Sequence, residues 1–91
     1  MISTYLHATI TRTLHGADGL LYEIEHPAPK RTSADFNNFY MTARAQLTTL
    51  VDFLDALSCS GQLDDDNYKL YANEAHRLQN EFTRVRNEKG F

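Results

Sequence analysis

A chain of 91 residues has room for one hydrophobic core and no second domain. With 42% hydrophobic residues, two prolines and four glycines, it is too apolar and too poor in breakers to be disordered. The net charge of −3 excludes a general DNA- or RNA-coating protein, though not a local basic contact. A single cysteine, Cys59, cannot close a disulfide within the chain, and a secreted domain this small usually needs such staples. The expected compartment is therefore the cytoplasm. The start carries no leader pattern, and no apolar run reaches the roughly 18 residues of a membrane helix.

From Ile2 to Leu14, the residues Leu6, Ala8, Ile10 and Leu14 alternate with His7, Thr9, Thr11 and Thr13, which predicts a half-buried strand. His15-Gly16-Ala17-Asp18-Gly19 has turn chemistry, and Leu20, Tyr22 and Ile24 alternate again up to His26. The expected hairpin covers residues 2–27, with a three-residue loop that places Gly19 in the left-handed region. Leu14 then faces Tyr22 and Ile10 faces His26. Arg12 is the misfit, since it falls on the apolar face. Ile2 to Thr9 would be left as an unpaired edge, open to a foreign strand or a second copy.

Residues 27–33, with two prolines in three positions, read as an extended linker. Thr32 or Ser33 is a candidate cap for a helix over about 34–59. Its stripe runs Phe36, Phe39, Tyr40, Ala43, Leu47, Leu50, Val51 and Leu54. A second helix over about 64–87 opens at Asp64 and carries the seam Tyr71, Ala75, Leu78, Phe82 and Val85. The short connection between them requires an antiparallel pair. The expected fold is α+β: an N-terminal antiparallel β-hairpin on a long αα-hairpin, ββαα. Tyr40, Tyr68 and Phe91 are the aromatics expected at the surface.

In that arrangement charge separates to two tips. Lys30, Arg31, Arg84, Arg86 and Lys89 form a basic tip that suits phosphates or an acidic protein groove. Asp52, Asp55, Asp64, Asp65 and Asp66 form an acidic one, a weaker candidate because helix starts favour such runs. Nothing points to catalysis. His7, His15, His26 and His76 lack the spacing that converges on a metal, and Cys59 sits at a helix C-terminus, where the dipole raises a thiol pKa. There is no glycine-rich phosphate loop. The expectation is no enzyme, no metal, no cofactor, no membrane contact and no small-molecule substrate.

The chain as a whole resembles the small phage-encoded anti-CRISPR inhibitors, in size, acidity, lack of catalytic residues and mix of hairpin and helices. The likeness carries no motif and transfers no functional residue. It implies a protein of the bacterial host cytoplasm that binds an RNA-guided surveillance complex, protein subunits and guide RNA included, and blocks target DNA. More generally, the sequence suits a non-enzymatic binder that occupies a surface of a larger protein or nucleoprotein assembly. Two alternatives are a small RNA- or DNA-binding regulator that uses the basic tip, and a homodimer paired through the strand edge.

Overall fold

The computed structural model describes residues 3–91 and contains three helices: α1 (Thr4–Glu25), α2 (Ser33–Cys59) and α3 (Asp65–Lys89). No strand occurs among the described residues. The expected ββαα architecture is overturned: the protein is all-α, and the segment read as a hairpin is one helix.

The physical reason lies in the seam of α1. Ile10, Leu14, Ala17, Leu21 and Ile24, spaced 4, 3, 4 and 3, are all buried. That spacing makes one helical stripe and would scatter over both faces of a strand. The threonines that favour a strand are accommodated. Thr9 and Thr13 return their hydroxyls to the carbonyls of Tyr5 and Thr9, at 2.9 and 3.0 Å. Ser3 caps the start, accepting from the Leu6 amide at 3.1 Å. His26 ends the helix, and Pro27 behind it disfavours continuation. Arg12, the misfit of the strand reading, is exposed rather than part of the core. The unpaired strand edge therefore does not exist from Ser3 onward, and Ile2 lies outside the described residues. A homodimer paired through that edge has lost its basis.

The linker contains the only non-glycine residue with positive φ among the described residues, Lys30 at 70°. A capping box starts α2. Thr32 accepts from the Asp35 amide at 3.2 Å, and the Asp35 carboxylate accepts from the Thr32 amide at 3.0 Å. At the far end Gly61, at φ 77°, turns the chain so that the amides of Gln62 and Leu63 reach the Leu57 carbonyl. Asp64 then caps α3 through the Asn67 amide, and Gly90 closes it in the left-handed conformation.

Short connections make the three helices run up, down and up, so α1 and α3 are parallel. Each contributes a seam of alternating three- and four-residue steps to a single core. Tyr40, Ala43, Leu47, Leu50, Leu54 and Leu57 come from α2. Tyr71, Ala75, Leu78, Phe82 and Val85 come from α3, with Ala72 buried beside that seam. Tyr40 is buried rather than exposed, and Tyr68 and Phe91 are half-buried. Phe91 folds back against the rings of Phe36 and Tyr40. No buried side-chain polar atom lacks a partner among the described residues. The body measures 45 × 21 × 16 Å.

Candidate functional site

All five residues of the expected basic tip lie at one end, where α1 and α3 finish and α2 begins. Most of that charge is already engaged. Arg84 holds Glu81 at 2.6 Å, Glu88 at 2.8 Å and, across to α1, Glu25 at 3.2 Å. These three carboxylates raise its pKa further. Arg31 lies 3.4 Å from Glu23 and over the Phe39 ring, and Arg86 stacks over the ring of Tyr40. Of these five cations, only Lys30 and Lys89 are without an ion pair or ring contact among the described residues. Four glutamates, Glu23, Glu25, Glu81 and Glu88, share the end with the five cations, so it is nearly neutral.

The opposite end holds the expected acidic group, and no ion pair neutralises it among the described residues. Asp64 is the α3 cap, and its bonds from the Asn67 side chain and backbone lower its pKa. Asp65 and Asp66 fill the first turn, where the helix dipole favours them. Asp55 accepts from the Tyr68 hydroxyl at 2.5 Å, a bond that raises the tyrosine pKa. Asp52 is exposed on α2. Nearby, His7 and Tyr71 hydrogen-bond between α1 and α3, and burial raises the Tyr71 pKa. Cys59 is a free, exposed thiol, and no three metal-ligating side chains converge among the described residues. No described helix is long and apolar enough to cross a membrane.

A third region was not legible without α1 as a helix. On the side of the bundle away from α3, a groove of about 610 Å³ runs between α1 and α2. Thr9, Arg12, Thr13 and Gly16 line one wall, and Ala45, Gln46, Thr49 and Phe53 the other, with Leu50 at the base. The walls are mostly carbon. A Cβ built on Gly16 meets nothing within 4 Å, so the groove is open there. Phe53 is 36% exposed. Arg12 is the single charge in the lining, and it makes no hydrogen bond, ion pair or ring contact among the described residues. The outer side of α3, by contrast, carries Glu74 bound to Arg77 at 2.6 Å and the Arg84 network.

No family model, curated protein or solved structure matches this chain.

The carboxylates define an acid response. Bonds from Arg77 and Arg84 hold Glu74 and Glu81 below their ordinary 4.5, and Asn67 holds Asp64 below 3.8. Groups whose folded pKa is depressed stabilise the fold above their unfolded pKa and lose that contribution as pH falls through the folded value. The melting temperature should therefore hold from neutrality down to about pH 5 and decline below it. Glu81→Gln should flatten that decline when melting is followed by circular dichroism. Asp64 is exposed and Glu74 and Glu81 are only partly buried, so water screens these bonds and the effect is modest.

Proposed function

We propose that this protein is a non-enzymatic binding module that occupies a surface of a larger protein through its α1–α2 face. The observation that carries this reading is the partition of charge. The ion pairs lie at one end and along α3, whereas the groove between α1 and α2 is apolar, open and lined by one unpaired charge. An open groove flanked by an exposed aromatic suits a macromolecular surface better than a small molecule, which needs an enclosing pocket. A protein is favoured over nucleic acid because three of the five cations of the basic end already have intramolecular partners. A CRISPR inhibitor is supported by general character alone, part of it a hairpin that the fold lacks. It enters only as one outcome of the test.

The test is photo-crosslinking in the native cells, with a crosslinking amino acid at Thr49 in the groove or at Asn80 on α3. The Thr49 protein should capture one predominant protein species that Asn80 does not, and Gly16→Leu should remove it. Equal capture from both positions, or capture of nucleic acid alone, would remove the α1–α2 face as the binding surface. The mass-spectrometric identity of the captured species reads out whether a CRISPR complex is the target.

A further inference from the structure

The occupant of the groove is constrained by its charge and shape, an argument that rests on the binding reading above. We infer that the groove between α1 and α2 receives an amphipathic helix of a partner protein, with a carboxylate placed against Arg12. Two long helices, 22 and 27 residues, form the walls, and their axial length suits several helical turns of a third element. Thr9, Thr13, Gly16, Ala45 and Thr49 are small, so a helix backbone approaches closely while its larger side chains enter between them. Phe53 supplies an aromatic edge for such an anchor.

Charge selects between a foreign helix and a second copy. The nine lining residues include one cation and no carboxylate. Two copies stacked face to face about a two-fold axis would bring both Arg12 guanidinium groups into an interface whose lining residues supply no carboxylate. A partner helix with leucines at i, i+4 and i+7 and a glutamate on the flank of that stripe satisfies both the apolar walls and the arginine. Gly16 sharpens the fit. It lies in the interior of α1, where glycine is the less stable choice, and nothing within the protein occupies the space beside it.

The probe is a pair of alanine-based helical peptides with leucines at i, i+4 and i+7, one carrying flanking glutamates and the other glutamines. Binding is followed by amide chemical shifts of the full chain. The glutamate peptide should shift Thr9, Thr13, Gly16 and Thr49 and bind about tenfold tighter than the glutamine peptide at low salt. Arg12→Glu should invert the preference, favouring a lysine version of the peptide. Gly16→Leu, which fills open space and keeps a good helix former, should remove binding with the melting temperature maintained or raised. No shifts in the groove, equal affinity for the two peptides, or concentration-dependent dimerisation through this face in sedimentation would each overturn the inference. The outcomes separate from those of the binding reading: a crosslinked partner at Thr49 with no peptide binding defeats the helical occupant alone.

Discussion

Phe82→Ala should destabilise the protein by about 3–5 kcal/mol, and Leu47→Ala by about 2–5. Leu47 is fully buried and Phe82 is 2% exposed, and each meets the core shared by all three helices. The removed atoms lose their burial, and the neighbouring side chains of a bundle this thin have few ways to close the space. A domain of this size is held by roughly 5–14 kcal/mol in total, so either change takes a large share. The expected drop in melting temperature is about 15–30 °C for Phe82→Ala. Phe53→Ala, on the exposed wall of the groove, is the control and should move it little. Near wild-type melting of Phe82→Ala would mean that α3 presents another face to the core.

The double substitution Gly16→Ala with Gly19→Ala should raise stability by about 1–2 kcal/mol, roughly 0.5–1 for each site. Both glycines lie inside α1, and an added Cβ at either meets no atom within 4 Å. Alanine then narrows the unfolded ensemble and favours the helix at no steric cost. Denaturant titration reads the gain as a higher midpoint at unchanged slope. The sign discriminates folds. In a hairpin whose loop holds Gly19 left-handed, alanine there would be strained and the variant would lose stability. A lowered midpoint would therefore overturn the helical assignment of α1.

The two later helices were legible because their signals agree with one another. The Thr32 cap, the Asp64 cap, the punctuation at Pro27 and Gly61, and the apolar steps of three and four all point to the same elements. In α1 the signals conflict. Thr9, Thr11, Thr13, Gly16 and Gly19 favour strand and turn locally, while Ile10, Leu14, Ala17, Leu21 and Ile24 demand a helix once two other helices are there to receive them. Burial of five residues outweighs propensities of a few tenths to one kcal/mol each. Arg12 was the sign that the alternation was false, because it sat on the supposed core face.

The charged ends could be counted from the sequence, but their pairing could not. Nothing local shows that Arg84 meets Glu25, 59 positions away, or that Arg86 lies over Tyr40. The groove was hidden for a further reason: its α1 wall exists only when Thr9, Thr13 and Gly16 fall on one side of a helix.

The separation of net charge along the rod gives the molecule two electrostatic identities. Its ends are up to 45 Å apart, whereas a surface charge is felt over about 8 Å at physiological ionic strength. One end is an anionic cap with a short-range field, and the other is internally compensated and nearly silent. In the cell each is sensed only by what touches it, and a change of charge at one leaves the other's titration undisturbed. In dilute salt, where the screening length reaches about 30 Å, the anionic cap is felt along most of the rod, and a nearby charged surface exerts a torque on the whole molecule. The approach of this protein to any charged body is thus set by salt before contact, and by the mostly apolar flank between α1 and α2, with its single arginine, after it.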